Sequence, residues 1–136
     1  MNVAVRYYTR SGNTKKLADA IARRLGTQAE SVEKGLLERA DILFLGCSYY
    51  AFDVDDAVKE FIRENKWNIG RIALFGTSAM MRSVYKPVKK VCDEVGVQLL
   101  TDEFHCRGQF WKAHPGRPNE EDCRNAADFA GKVAGL

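Results

Sequence analysis

Ile42-Leu43-Phe44-Leu45-Gly46 is an apolar run with no polar interruption. A strand with one wet face alternates apolar and polar residues. A run without alternation belongs to a strand covered on both faces, and such strands occur in parallel sheets. Arg71-Ile72-Ala73-Leu74-Phe75-Gly76 reads the same way. Parallel neighbours need crossovers, and the segments around these runs supply them at helical spacing. Leu17, Ala20, Ile21 and Leu25 precede Gly26; Val54, Ala57, Val58, Phe61 and Ile62 follow the acids Asp53 and Asp55. Val84, Val88, Val91 and Val95 stop at Gly96, with Pro87 tolerable only in a first turn. Asn119 followed by Glu120, Glu121 and Asp122 starts a last helix that buries Ala126, Ala127, Ala130 and Val133.

Val3–Tyr8 opens the chain as a strand, Gln28–Val32 is a weak edge strand, and Val97–Leu100 with Glu103–Cys106 forms an interrupted last strand. Gly35–Ala40 is expected to add a short helical crossover. Five strands alternating with helices predict an α/β fold with right-handed crossovers and a parallel sheet sandwiched between helices. Ligands of such sheets bind beyond the carboxyl ends of the strands, where the strand order reverses.

The 136 residues, 46% apolar and 29% charged, suit one domain over 1–136 and exclude disordered, collagen-like and disulfide-scaffold chains. No apolar run has membrane-spanning length, and Met1–Arg6 lacks a signal-peptide pattern, so a cytoplasmic protein with no membrane association is expected. Four cysteines, at 47, 92, 106 and 123, form no C-x-x-C pair and no zinc spacing, so reduced thiols and no metal are expected. A net charge of +3 without a basic, aromatic-interleaved stripe gives no nucleic-acid signal.

The chemistry concentrates in Thr9-Arg10-Ser11-Gly12-Asn13-Thr14, between the first strand and its helix. Hydroxyl and amide side chains crowd this loop, Gly12 lets the backbone approach a ligand, and the helix start offers N–H groups and a positive dipole end. Together they describe an anion site suited to a phosphate, against the plainer reading that Ser11, Asn13 and Thr14 cap a helix. No Gly-Lys-Ser/Thr closes the loop, and no G-x-G-x-x-G is present.

Tyr8–Thr14 resembles the T/S-x-T/S-G-N-T phosphate loop of flavodoxins. Gly46-Cys47-Ser48-Tyr49-Tyr50 with the helix ending Val58–Ile62, Phe75–Ala79, Phe104–Phe110 and Gly116–Asp122 are similar to later flavodoxin segments, in order along the chain. The resemblance implies a flavodoxin-like sandwich, a five-stranded parallel sheet of order 2-1-3-4-5, one non-covalent FMN, and electron transfer. It implies that Thr9, Arg10, Ser11, Gly12, Asn13 and Thr14 hold the FMN phosphate. Ser48, Tyr49, Tyr50, Ala51 and Phe52 would border one side of the flavin ring, and Thr77, Ser78, Ala79, Met80 and Met81 the other. Its partners would be redox proteins, a reductase and an acceptor, met by a monomer or weak dimer.

The chain departs from the family at three points. Ala51 and Phe52 stand where an aromatic and a glycine are frequent, Met80-Met81 replaces a stacking Tyr or Trp, and the net charge is +3 where many flavodoxins are acidic. Arg10, Arg82 and Lys86 are cations expected near the cofactor, opposed by Asp53, Asp55 and Asp56. Two alternatives stand beside the electron carrier: an FMN-dependent NAD(P)H:quinone or flavin reductase, and a binding module of the same fold without FMN. Cys47 is read as a small buried thiol, and neither His105 nor His114 has a partner at triad spacing.

Overall fold

A computed structural model describes residues 1–48, 53–78, 83–108 and 116–136. The elements follow in the order β1 (Val3–Tyr7), α1 (Asn13–Leu25), β2 (Ala29–Ser31), β3 (Ala40–Ser48), α2 (Asp56–Asn65), β4 (Ile69–Thr77), α3 (Tyr85–Val95), β5 (Gln98–Cys106) and α4 (Glu120–Ala134). A 3-10 turn over Lys66–Asn68 leads into β4. All strand pairs are parallel, in the order β2-β1-β3-β4-β5, as the flavodoxin resemblance implies.

The apolar runs are buried on both faces. Ile42, Leu43, Phe44 and Leu45 are each fully inaccessible to solvent. Leu43, Leu45, Ile72 and Leu74 pack with Val58, Phe61 and Ile62 of α2 and Val88 and Val91 of α3. Their neighbours Ile42, Phe44, Ala73 and Phe75 point the other way, into Leu17, Ala18 and Ile21 of α1 and Ala126 and Ala130 of α4. The period of two along each strand thus divides the core into two layers.

Local chemistry sets the helix ends. Asp55 caps α2 by accepting from the Ala57 N–H, and α1 and α3 stop at Gly26 and Gly96 in the left-handed conformation. Asn119 and Asp122 make a reciprocal capping box for α4, to which Arg117 adds an ion pair at 2.6 Å. Pro87 falls in the first turn of α3.

The expected helical crossover at 35–40 is absent. Residues 32–39 form turns and bends between β2 and β3. Side chains from distant elements take the backbone groups a helix would pair. The Arg6 guanidinium donates to the carbonyls of Lys34 and Gly35, Asn65 Oδ1 accepts from Leu36 N–H, and Asn68 Nδ2 donates to Leu36 O. The expected interruption of the last strand is a register shift: Ile72 pairs with Leu99 but Leu74 with Glu103, so β5 carries two extra residues between these pairs.

The chain passes from β2 to β3 across β1, so β1 is the strand at which the order reverses. Of the loops beyond the carboxyl ends, the one after β1 therefore stands at the switch point, the place where flavodoxins themselves exemplify ligand binding.

Candidate functional site at the switch point

Gly12 begins the site. Its φ is +87°, in the left-handed region, where a side chain is costly; the space around a would-be Cβ is empty, so the demand is conformational. The turn is tightened from within. Thr9 Oγ1 accepts from Gly12 N–H at 3.0 Å, and Ser11 Oγ accepts from Asn13 N–H at 3.4 Å. No acidic residue lies in the first turn of α1, so nothing there opposes the positive end of a helix of 13 residues. Arg10 and Ser11 are exposed, Thr9 and Gly12 are half-buried, and Asn13 and Thr14 are buried.

Beneath the loop three hydroxyls meet. Thr14 Oγ1 lies 2.9 Å from Ser48 Oγ and 3.2 Å from Thr77 Oγ1, and Ser48 Oγ lies 3.1 Å from Thr77 Oγ1. They come from the start of α1 and the ends of β3 and β4, and strand register brings them together: Ser48 pairs with Thr77 and Tyr7 with Gly46. A closed ring of three hydroxyls supplies each O–H with an acceptor without water.

Two glycines make room for this floor. A Cβ on Gly46 would stand 2.9 Å from Thr14 Cγ2 and 2.3 Å from the Phe75 ring. One on Gly108 would stand 2.9 Å from Asn13 Nδ2 and 3.0 Å from Thr77 Cβ. Ser78 N–H donates to Cys106 O, tying the chain after β4 to the end of β5. The loop after β1 and the carboxyl ends of β3, β4 and β5 thus converge on one polar surface.

Of the residues expected to hold a cofactor, the structure brings Thr9 to Thr14, Ser48 and Thr77 together and sets Ser78 beside them. Thr77 sits with the first loop's Thr14, a position the resemblance did not imply for it. Tyr49, Tyr50, Ala51, Phe52, Ala79, Met80 and Met81 lie outside the described residues, as do Arg82, Trp111, Lys112 and His114.

Arg10, expected as a cation for the ligand, is paired. Its Nη2 lies 2.6 Å from Asp55 Oδ2, and Lys59 Nζ lies 2.7 Å from Asp53 Oδ2. The Ala57 N–H and then Arg10 hold the Asp55 carboxyl below its usual range, and Asp55 in turn raises Arg10. Nothing in the sequence spacing shows that these residues meet.

Cys47 is buried on the α2–α3 side, and desolvation, with Glu103 nearby, pushes its thiol up to about 12. It is an unreactive thiol, as expected. On β5, Glu103 Oε1 accepts from Ser83 O–H and lies 3.4 Å from His105 Nδ1. Sequence reasoning missed this cluster, because Ser83 and Glu103 meet only through the fold. The Ser83 O–H donates its hydrogen bond to the carboxylate and not to the imidazole, so His105 is not placed to activate Ser83 as a nucleophile. Among the described residues no group of three His, Cys, Asp or Glu side chains is placed to hold a metal ion, and no helix is long and apolar enough to cross a membrane.

Comparison with curated protein sequences gives no match. Solved structures share the fold. A flavodoxin from the domain Archaea superposes with a TM-score of 0.72 at 21% identity, covering 98% of this chain and 99% of its own. Oxidised Flavodoxin 2 from Bacillus cereus gives 0.68 at 19% identity, covering 99% of each chain. A flavoprotein in complex with FMN from Lactobacillus acidophilus gives 0.58 at 16% identity, covering 78% of this chain and 92% of its own. Residues 4–112, from β1 through the chain beyond β5, match the family described as the flavodoxin domain, and the protein belongs to that family.

Proposed function

We propose that this protein binds FMN at the switch-point site and carries electrons between redox proteins in the cytoplasm, as a monomer or weak dimer. The observation that carries the reading is the union of a left-handed Gly12, an acid-free helix start and three buried hydroxyls at one end of the sheet. The Thr9 and Ser11 hydroxyls and the N–H groups of the helix start are neutral, short donors matched to a phosphate monoester, and the hydroxyl ring supports them from below. The residues fit the group, since no carboxylate stands in the first turn of α1 and the one nearby acid of the second loop with a partner in the first, Asp55, is neutralised by Arg10.

Thr9, Ser11, Gly12 and Asn13 would receive the phosphate, with Thr14, Ser48 and Thr77 as the floor that keeps the helix start polar. Tyr49 to Phe52 and Ser78 to Met81 follow the strands that border this end and would flank the ring. Bound there, FMN supplies one- and two-electron transfer. The chain contributes binding, orientation and exclusion of water from the phosphate end.

Absorbance and fluorescence titrations of the purified protein with FMN and riboflavin test the reading. Each phosphate-directed donor left unpaired by riboflavin costs about 1–3 kcal/mol, so FMN is expected to bind at least tenfold tighter. Equal binding of the two, or none, would overturn it. Sustained NAD(P)H oxidation with quinone by the protein alone would replace the carrier with a reductase.

A further inference from the structure

Arg10 is the ionisable side chain of the first loop, and its engagement bears on which phosphates the site accepts. Asp55 uses its two oxygens for two tasks: Oδ1 accepts from Ala57 N–H at 3.0 Å and caps α2, while Oδ2 holds Arg10 at 2.6 Å. The cap fixes the carboxylate, whose side chain is 18% exposed; the guanidinium that reaches it across 45 residues of sequence is 57% exposed. Tyr8 acts on both in the same sense, helping to raise Arg10 and to lower Asp55. Asp53 and Asp56 face Lys59, at 2.7 and 3.9 Å, so the acids around the start of α2 have cations of their own.

A guanidinium turned onto a phosphate forms a bidentate, charge-assisted pair with little regard for the rest of the ligand. One held by a fixed carboxylate leaves the site electrically balanced. We infer that Asp55 is a specificity-determining positioning residue, which withholds Arg10 from the ligand so that a phosphate is selected by neutral hydroxyl and N–H donors rather than by charge. The inference rests on the phosphate reading of the first loop given above. Its consequence is discrimination: small phosphates that offer charge but no further contacts are refused, and FMN binding depends weakly on salt.

Asp55→Asn is the informative variant. Asn caps a helix about as well as Asp, so α2 keeps its start while the hold on Arg10 is weakened. The measurements are FMN and riboflavin titrations at low and high salt, and the 31P line width of inorganic phosphate, for the native protein, Asp55→Asn, Arg10→Gln and the double variant. Asp55→Asn is expected to bind FMN about tenfold tighter at low salt, the worth of one charge-assisted bond discounted for exposure, and to lose the gain at high salt. Riboflavin affinity should shift by less than about twofold, since it carries no phosphate for Arg10 to meet. Inorganic phosphate should broaden with Asp55→Asn and not with the double variant.

An additive cycle, in which Arg10→Gln weakens FMN equally in both backgrounds, would overturn the inference by showing Arg10 already on the phosphate. An Asp55→Asn protein with native FMN affinity and sharp inorganic phosphate would overturn it too. If the native protein binds neither flavin, the functional reading fails; the phosphate line widths then decide the role of Asp55 separately.

Discussion

Replacing Thr14 with Val keeps the side chain's shape and removes its hydroxyl from a buried ring. The hydrogen bonds to Ser48 at 2.9 Å and to Thr77 at 3.2 Å disappear, and the 3.1 Å bond between Ser48 and Thr77 survives. Each net hydrogen bond contributes about 1 kcal/mol, and one surviving O–H is left without an acceptor. The sum is about 3–5 kcal/mol, or roughly 10–17 °C in the unfolding midpoint for a chain of this size. The assay is urea and thermal unfolding of flavin-free protein, so that ligand linkage does not enter. Removing all three hydroxyls together, as Thr14→Val with Ser48→Ala and Thr77→Val, leaves no buried polar orphan and should cost less than the single change. If the single variant unfolds within about 0.5 kcal/mol of native, or the triple variant is the less stable of the two, the ring is not a closed, water-free network and the reasoning fails.

Gly46→Ala should destabilise by about 1–3 kcal/mol and weaken FMN as well, because the new methyl overlaps the Phe75 ring and the Thr14 methyl; denaturation and flavin titration of one preparation check both effects. Burial pushes the Asp122 carboxyl up, but the Arg117 ion pair and the Asn119 N–H together bring it below the ordinary value. A depressed carboxyl stabilises above its unfolded pKa and loses that contribution as pH falls through the folded one. Lowering the pH from 7 to 3 should therefore cost the native protein more stability than it costs Asp122→Asn; equal losses in urea midpoint would count against the pair. Cys47, pushed up to about 12, should resist iodoacetamide at pH 8 until the protein unfolds, while the half-exposed Cys123 takes label first; peptide mass spectrometry reads the order.

Both core layers and most helix ends were legible in the chain because they are written locally, whereas the order of the sheet was implied only by the flavodoxin resemblance. Runs without alternation mean two covered faces, four-residue spacing means a helical face, and Asn119 with Asp122 or Gly26 and Gly96 satisfy backbone groups within a few residues of themselves. The first loop was legible for the same reason: strand, glycine and helix start adjoin in sequence, and its peptide groups point where the helix dictates. The missing crossover helix was not. Arg6, Asn65 and Asn68 take over its hydrogen bonds from three other elements, and local propensity carries no sign of them.

The tertiary structure alone decided what stands behind that loop. Thr77 lies 63 residues from Thr14 and joins its hydroxyl only because β3 and β4 run in the register that sets Ser48 beside Thr77. The space left by Gly46 and Gly108, and the hold of Asp55 on Arg10, likewise exist only between elements. Periodicity and caps record how a chain meets its own next turn. Contacts across tens of residues depend on register and on the angle at which each loop leaves its strand, which are settled when the two core layers pack.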